Sequence, residues 1–196
     1  MQIAVFLDRD GTINEEMGYI NHLDRFFLLP GAAAAIRGIN ESGLKAVVVT
    51  NQSGAARGYF PAELIGRVHE KMVYLLKEEG AFLDGIYTCT HGPAEEGRSG
   101  SCGCRKPGIG LMKQAAEELK IDLQRSYVVG DRFKDIEMAR KARSKAILVL
   151  TGYGRGEFEF LGRRSQMQPD YVAEDLLEAV DWILADVRSS QLDASR

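Results

Sequence analysis

The feature of this sequence that most constrains its fold is the alternation of short apolar runs with longer amphipathic segments. The short runs are rich in β-branched and aromatic residues and end at polar turns, which predicts buried strands. They lie at Ile3–Leu7, Leu44–Thr50, Phe82–Cys89, Tyr127–Gly130, Ala146–Leu150 and Tyr171–Ala173. The amphipathic segments predict helices at Gly31–Ser42, Pro61–Glu79, Ile109–Leu119, Lys134–Arg143 and Leu176–Val187. This order indicates an α/β fold, a doubly wound parallel sheet of Rossmann-like type with helices on both faces.

The length of the chain, 196 residues, fits one domain. We predict a single domain over residues 1–188, with a loop inserted at 89–104 and a polar, frayed tail at 189–196.

The composition narrows the partners and the compartment. Lys and Arg number 25 against 28 Asp and Glu, a formal net charge of −3, which argues against nucleic acid or an anionic membrane as a partner. No segment supplies the roughly 18 apolar residues of a membrane span, and the N-terminus lacks the basic start and long apolar run of a signal peptide. The three cysteines cannot all pair within the chain, which favours a reducing compartment. We therefore predict a cytoplasmic protein.

Polar residues follow the predicted strands at one edge of the sheet. They are Asp8–Asp10, Thr50–Ser53, Cys89–His91 and Gly130–Asp131. Because parallel α/β sheets bind ligands at the carboxyl ends of their strands, these residues are expected to form the site.

Two carboxylates, Asp8 and Asp10, follow the first strand and precede Gly11 and Thr12. Carboxylates this close repel each other unless a cation lies between them, and Mg²⁺ prefers one or two carboxylates together with phosphate oxygens and water. An isolated Asp-x-Asp is more often a simple turn, because Asp and Gly are common turn formers. The Gly-Thr pair and the polar ends of the other strands favour the metal site here.

The run from Phe6 to Thr12 resembles the first motif of the haloacid dehalogenase-like phosphatases. The resemblance implies that Asp8 is the nucleophile that takes the phosphoryl group, and that Asp10 acts as a general acid and then as a base. A general acid must carry a proton, so we expect burial and the nearby phosphate to raise the pKa of Asp10.

The other motifs of this family occur in order, and the resemblance spans roughly residues 3 to 151. Thr50 matches the residue that hydrogen-bonds the phosphoryl group, and Lys106 matches the lysine that neutralises its charge. Asp131 matches a direct metal ligand, which gives an implied Mg²⁺ set of Asp8, Asp10 and Asp131, while Asp135 matches a supporting carboxylate. The segment between the first strand and its helix is too short for a separate cap domain, so we expect a capless core with an open site.

All three cysteines lie in one loop with one of the three histidines. Cys89 and His91 precede a glycine-rich spacer, and Cys102 and Cys104 follow it. A Cys₃His set is a known composition of structural zinc sites, and four protein ligands leave no open position for catalysis. The alternative is a loop of unpaired thiols. Since Lys106 follows directly, bound zinc would help to hold that lysine over the phosphate.

The zinc loop resembles the branch of the family that contains heptose-bisphosphate and histidinol-phosphate phosphatases. The run from Thr50 to Gly58 is closer to the heptose group, because the histidinol group generally has an acidic residue where this chain has Ser53. Serine and arginine suit a neutral sugar with a second phosphate, which Arg105 and Arg57 could hold. The implied substrate-binding residues are Glu16, Met17, Gly18, Tyr19, Asn51, Gln52, Ser53, Arg57, Arg105 and Arg132, the last standing where the branch often has lysine.

The resemblance thus implies an Mg²⁺-dependent phosphatase with structural zinc that removes the 7-phosphate of a heptose 1,7-bisphosphate. A monomer is expected because the sequence shows no large unexplained apolar face. Histidinol phosphate is the alternative substrate, and a nucleic-acid 3′-phosphatase has only the basic run from Arg132 to Lys145 in its favour. From another class, a catalytically silent zinc-bearing module would be expected to lack the nucleophile motif, which is intact here. His69 is interpreted as a helix-surface residue, and residues 155–167 carry no prediction.

Overall fold

The computed structural model describes residues 1–92, 102–162 and 167–194. Its strands are β1 (Ala4–Leu7), β2 (Lys45–Asn51), β3 (Gly85–Cys89), β4 (Tyr127–Gly130), β5 (Lys145–Val149) and β6 (Tyr171–Ala173). They form one parallel sheet in the order β3-β2-β1-β4-β5-β6. β1 lies in the middle, where Val5 pairs with Ala46 of β2 on one side and with Tyr127 of β4 on the other. The predicted doubly wound sheet is confirmed.

The helices are α1 (Ala32–Glu41), α2 (Glu63–Glu78), α3 (Gly110–Leu119), α4 (Phe133–Ala142), α5 (Gly154–Glu157) and α6 (Leu176–Ala194). The apolar stripe of α2 is buried as predicted, through Leu64, Val68, Met72 and Leu76. No helix among the described residues has both the length and the apolarity to cross a membrane.

The core has two layers, one on each face of the sheet. Successive side chains of β1 point to opposite faces, so Val5 and Leu7 join one apolar cluster while Ala4 and Phe6 join the other. The first cluster contains residues of α1, α2 and α6, and the second contains residues of α3 and α4. Burial on both faces explains why the strands read as continuous apolar runs rather than alternating ones.

The predicted start of β3 at Phe82 was wrong, since the strand begins at Gly85. The reason is Asp84, whose carboxylate accepts hydrogen bonds from the Ala46 amide at 2.9 Å and the Lys45 ammonium at 2.8 Å. These contacts fix the residue that precedes the strand.

The predicted end of the last helix at Val187 was also wrong, because α6 continues to Ala194. The first residues of the expected tail are helical, and the Ser189 and Ser190 hydroxyls donate to carbonyls four residues back, at 3.1 and 3.0 Å. Part of the segment that carried no prediction is also ordered into helical turns, α5 and a π-helical turn at Phe158–Gly162.

Candidate active site

A cavity of about 220 Å³ opens at the carboxyl edge of the sheet, where β1, β2 and β4 end. Most of the predicted catalytic and substrate-binding residues line it: Asp8, Asp10, Glu16, Gly18, Tyr19, Thr50, Asn51, Gln52, Ser53, Arg105, Asp131 and Arg132. Arg9, Ile20, Lys134 and Tyr153 line it as well and were not predicted as site residues. The strand ends therefore meet as the parallel sheet requires.

Lys106 has a fully buried side chain beside the nucleophile candidate. Its Nζ lies 2.7 Å from Oδ1 of Asp8 and 2.8 Å from Oδ1 of Asp135. Burial alone lowers the pKa of Lys106, but the two carboxylates outweigh burial and the pKa is raised. Asn51 fixes the backbone there, because its Oδ1 accepts from the Lys106 amide at 3.0 Å and its Nδ2 donates to the Lys106 carbonyl at 3.3 Å. Lys106 is thus a fixed positive charge.

Asp131 completes a group of three buried carboxylates with Asp8 and Asp135, and one oxygen from each lies within 4.8 Å of the others. Burial and the charges of Asp8 and Asp135 raise the pKa of Asp131 to about 8. Its Oδ2 accepts a hydrogen bond from the Tyr153 amide at 2.9 Å, whereas its Oδ1 is buried without a partner among the described residues. A crowded and incompletely satisfied set of carboxylates fits a divalent cation such as Mg²⁺.

Two glycines let the loops after β1 and β5 cross over Asp131. Gly11 and Gly152 both have left-handed backbone conformations, with φ of +81° and +54°. A Cβ atom on either one would lie 2.2 or 2.3 Å from Oδ2 of Asp131. A side chain at these positions would therefore displace the carboxylate.

The Asp10 carboxylate is held by hydrogen bonds from three side chains. Arg9 donates from Nε at 3.2 Å and from Nη2 at 2.7 Å, Asn14 from Nδ2 at 3.0 Å, and Gln52 from Nε2 at 2.7 Å. Burial raises the pKa of Asp10, but the Arg9 charge and these hydrogen bonds outweigh burial, so the pKa is lowered. The expectation of a raised pKa left out the guanidinium, and the rise expected from a nearby phosphate stays a prediction. The Asp10 side chain also lies outside the three-carboxylate group, so its role as a Mg²⁺ ligand stays a prediction.

Gln52 links the end of β2 to the same carboxylate. Its Nε2 donates to Oγ1 of Thr50 at 2.9 Å as well as to Asp10. This brings the Thr50 hydroxyl next to the candidate acid and base, where the sequence motif places it.

One rim of the cavity is formed by the predicted run from Glu16 to Tyr19. Burial, followed by the charges of Asp10 and Asp8, raises the pKa of Glu16. Tyr19 packs edge-on against Tyr59, with ring centroids 4.7 Å apart. Two residues that were predicted to bind the substrate do not line this cavity. Met17 lines an adjacent open groove with both tyrosines, and Arg57 is not among the described residues that line either space.

The opposite rim carries Arg132, which is oriented by Tyr153 and by Glu157, the second of which lies in the segment that had no prediction. Its guanidinium carbon lies 4.4 Å from the centre of the Tyr153 ring. Glu157 accepts a hydrogen bond from Nε of Arg132 and another, at 2.5 Å, from the amide of Phe133. A helix as short as α5 shows no periodicity, so the sequence offered no signal for these two contacts.

The predicted zinc ligands converge beside this cavity, whereas residues 93–101 of the predicted loop lie outside the described residues. Sγ of Cys89 lies 3.6 Å from Sγ of Cys102 and 3.4 Å from Sγ of Cys104, and Nδ1 of His91 lies 3.3 Å from Sγ of Cys104. Tetrahedral Zn–S bonds of about 2.3 Å separate ligand atoms by about 3.8 Å, so this set fits a zinc ion. Arg105 joins the cluster to the cavity by donating from Nη1 to the His91 carbonyl at 2.9 Å.

His69 was wrongly interpreted as a helix-surface residue. It is half-buried, and its Nε2 lies 3.3 Å from Nη1 of Arg9. Burial and the charge of Arg9 lower the pKa of His69 to about 4. A signal was present, since position 69 lies four residues after Ile65 and three before Met72, both buried on α2.

The chain is similar to several known phosphatases. A sequence model of the HAD-hydrolase-like family matches residues 103–179. The chain is 42% identical to the D-glycero-D-manno-heptose-1,7-bisphosphate 7-phosphatase of Thermosynechococcus vestitus, over 92% of this chain and 94% of that protein. It is 39% identical to the D-glycero-beta-D-manno-heptose-1,7-bisphosphate 7-phosphatase of Haemophilus ducreyi, over 92% and 97%. The crystal structure of D,D-heptose 1.7-bisphosphate phosphatase from B. bronchiseptica, complexed with magnesium and phosphate, matches with a TM-score of 0.82 and 32% identity, over 95% of this chain and 99% of that one.

Proposed function

The chain belongs to the haloacid dehalogenase-like phosphatases, in the branch of the heptose-bisphosphate 7-phosphatases, and we propose that it removes the 7-phosphate of D-glycero-D-manno-heptose 1,7-bisphosphate. It is a phosphoric monoester hydrolase. The observation that carries the proposed mechanism is the 2.7 Å contact between the buried ammonium of Lys106 and Asp8, at the wall of an open cavity. A carboxylate anchored in this way can act as the nucleophile that forms an aspartyl-phosphate intermediate.

In the first half-reaction, an Asp8 oxygen would bond to phosphorus while the bond from phosphorus to the sugar oxygen breaks. The Arg9 amide and Lys106 Nζ each hold Oδ1 of Asp8 at 2.7 Å, which leaves Oδ2 to attack. The Thr50 hydroxyl would donate to a phosphoryl oxygen. Asp10 would take up a proton as the phosphate anion arrives, because a nearby negative charge raises its pKa, and would pass it to the departing sugar oxygen.

In the second half-reaction, Asp10 is left as a carboxylate and can accept a proton from water. The water oxygen would bond to phosphorus as the bond from phosphorus to Asp8 breaks, which releases inorganic phosphate and restores both side chains. Hydrogen bonds from Asn14 and Gln52 keep the Asp10 carboxylate beside the cavity through both steps.

The residues that would hold Mg²⁺ are Asp8 and Asp131, with Asp10 as a further ligand. When bound, Mg²⁺ offsets the carboxylate charges and polarises a phosphoryl oxygen. Asp135 orients Lys106 through their 2.8 Å contact, in the supporting role implied by the sequence. Zinc held by Cys89, His91, Cys102 and Cys104 would be structural, because the four protein ligands fill its coordination shell.

The charges around the cavity favour a sugar bisphosphate over histidinol phosphate. Arg105, Arg132 and Lys134 all line the cavity and can meet a second phosphate group. The amine of histidinol would instead meet these cations, with the uncharged Ser53 where an acidic residue would help it. Glu16 is the one carboxylate among the predicted substrate-binding residues. Its raised pKa makes it less readily ionised and therefore a weaker partner for an amine.

A nucleic-acid substrate is less favoured, because carboxylates neutralise much of the basic run. Arg140 lies 2.9 Å from Asp170, and Lys141 lies 2.7 Å from Glu137. Lys145 is paired in the same way with Asp186. We further propose that the protein acts as a monomer in the cytoplasm, where its thiols would stay reduced for zinc.

The test is phosphate release by the purified protein from heptose 1,7-bisphosphate and from histidinol phosphate, with Mg²⁺ added. We expect release to be at least about tenfold faster from the bisphosphate. Faster release from histidinol phosphate would overturn the substrate assignment, and no release from any phosphate ester would favour a silent zinc-bearing module.

The nucleophile is tested separately by Asp8→Asn, which should lower kcat by more than about 10³-fold because the amide cannot form the acyl-phosphate bond. Asp24→Asn, at an exposed site, is the control and should keep full activity. Retention of activity by Asp8→Asn would exclude the covalent mechanism.

A further inference from the structure

Arg9 is the largest fully buried side chain of the described residues, and only 2% of its surface is exposed. Its Nε and Nη2 point at the Asp10 carboxylate, as described above. Its remaining terminal nitrogen, Nη1, points instead at Nε2 of His69 on α2, 60 residues further along the chain. The guanidinium therefore bridges Asp10, the candidate acid and base in the loop after β1, to a helix on the flank of the site.

The chemistry of the two groups fixes the direction of the Arg9–His69 hydrogen bond. A guanidinium has only N–H donors and stays protonated in proteins. The His69 Nε2 must therefore be the acceptor, which makes the ring neutral, with its proton on Nδ1. A histidine in this form has one lone pair, on Nε2, which accepts the hydrogen bond from the buried arginine.

Without His69, the outer end of the guanidinium would lose its acceptor at 3.3 Å. The Arg9 guanidinium would then be held only by its hydrogen bonds to Asp10 and could shift together with that carboxylate. Asp10 would keep Asn14 and Gln52 as donors but would lose its fixed charged partner. General acid catalysis depends on the position of the carboxyl group to within fractions of an ångström, so this loss should fall on the proton-transfer step.

We propose that His69 is a positioning residue, which fixes the Arg9 guanidinium and through it the orientation of the Asp10 carboxyl group during proton transfer to the departing sugar oxygen. This inference rests on the proposed function, because it assumes that Asp10 is the general acid. His69 itself touches neither the substrate nor the reacting atoms.

The test compares two substrates that differ in their need for an acid. A sugar alkoxide must be protonated as it leaves, whereas p-nitrophenolate leaves without a proton near neutral pH. We expect His69→Leu to lower kcat for heptose 1,7-bisphosphate by roughly tenfold and kcat for p-nitrophenyl phosphate by less than about twofold. His69→Gln should restore most of the difference, since its side-chain carbonyl can accept from Nη1 of Arg9. His22→Leu, at an exposed histidine, is the matched control and should leave both rates unchanged.

Equal losses on the two substrates, or no rescue by His69→Gln, would show a merely structural role and overturn the proposal. If the wild type hydrolyses neither substrate, the proposed function fails instead, so the two failures are distinguishable. A second readout needs no turnover. ¹⁵N NMR of the imidazole should show His69 as the neutral tautomer with its proton on Nδ1, and a protonated Nε2 near neutral pH would also contradict the proposal.

Discussion

At the scale of single residues, the site depends on a few cations that hold more carboxylates than they can neutralise. Lys106 contacts both Asp8 and Asp135, and Arg9 holds Asp10. Asp131 has no cation of its own among the described residues, and its pKa is raised to about 8. Two cations thus face four carboxylates, a deficit of two positive charges that a divalent ion matches.

The sequence indicated which candidate residues would meet at the cavity but not which partners fix them. The catalytic candidates sit at strand ends in a recognisable order, and this order is a local property of the chain. The contact of Arg9 with His69 joins β1 to α2 and depends on how the helix packs, which no local pattern encodes. The pKa of Asp10 is lowered mainly by its sequence neighbour Arg9, whose side-chain orientation the sequence does not show either.

The half-buried His69 should make folding stability depend on pH. Its pKa is about 4 in the folded protein and about 6.5 when unfolded, so between these values the unfolded chain binds more protons. Its contribution is therefore fully present above pH 6.5 and is lost as the pH falls towards 4. Urea denaturation should show that moving from about pH 7.5 to about pH 5 costs the wild type on the order of 2 kcal/mol more than it costs His69→Gln. The same pH dependence in both proteins would contradict a buried, neutral His69.

At the scale of elements, the site is held by connections rather than by the sheet alone. The metal-ligand cluster ties the end of β3 to the residues that precede Lys106, and Arg105 adds a link from its guanidinium to the His91 carbonyl. On the other side, α5 provides Glu157 and the turn before it provides Tyr153, which together orient Arg132. The cysteine spacing revealed the first connection in the sequence. The second connection could not be predicted, because the helix α5 that provides Glu157 is too short to produce a helical pattern in the sequence.

Removing a candidate zinc ligand tests the first connection. Cys102→Ser should lower the bound zinc from about one ion per chain to nearly none and reduce kcat by roughly 10-fold or more, because Lys106 loses part of its support. Metal content by mass spectrometry and phosphate release are the measurements. His22→Ser, outside the cluster, should retain both zinc and activity. Full zinc in Cys102→Ser would mean that Cys102 is not a ligand.

Glu157→Gln tests the second connection. The amide would keep the shape but lose the charge that pairs with Arg132, so the guanidinium should hold the second phosphate less firmly. We expect KM for heptose 1,7-bisphosphate to rise about three- to tenfold, with little change for a heptose monophosphate that lacks the 1-phosphate. The exposed Glu159→Gln is the matched control. An equal rise for both substrates would indicate that Arg132 does not contact the second phosphate.

At the scale of the whole molecule, a weakly acidic chain brings three cations together around the cavity. The formal net charge is −3, yet Arg105, Arg132 and Lys134 converge on one cavity. The strand alternation predicted the fold class, because every crossover buries an apolar face on the sheet. It could not predict this meeting of cations, which depends on the loop that carries Arg105 lying near the start of α4 in space.

The three cations at the cavity should make kcat/KM depend on the salt concentration. Raising KCl from about 20 to about 300 mM shortens the range of electrostatic attraction from roughly 20 Å to below 10 Å. We expect kcat/KM for the bisphosphate to fall several-fold, and by more than kcat/KM for a monophosphate, since the larger charge is steered more strongly. A steady-state salt titration with both substrates makes the comparison. Parallel slopes would show that the cationic residues do not act on the second phosphate.

The position of β1 at the middle of the sheet has a consequence for how the protein folds during its synthesis. The nucleophile candidate Asp8 is near the start of the chain, whereas its neighbour across the site, Asp131, follows a strand that pairs with β1 more than 120 residues later. During synthesis the first half of the sheet can form without any functional centre, since the partner carboxylate and Lys106 do not yet exist. The active arrangement is created only when the two halves dock, so a ligand that bridges Asp8 and Asp131 binds the finished protein alone and stabilises it by mass action.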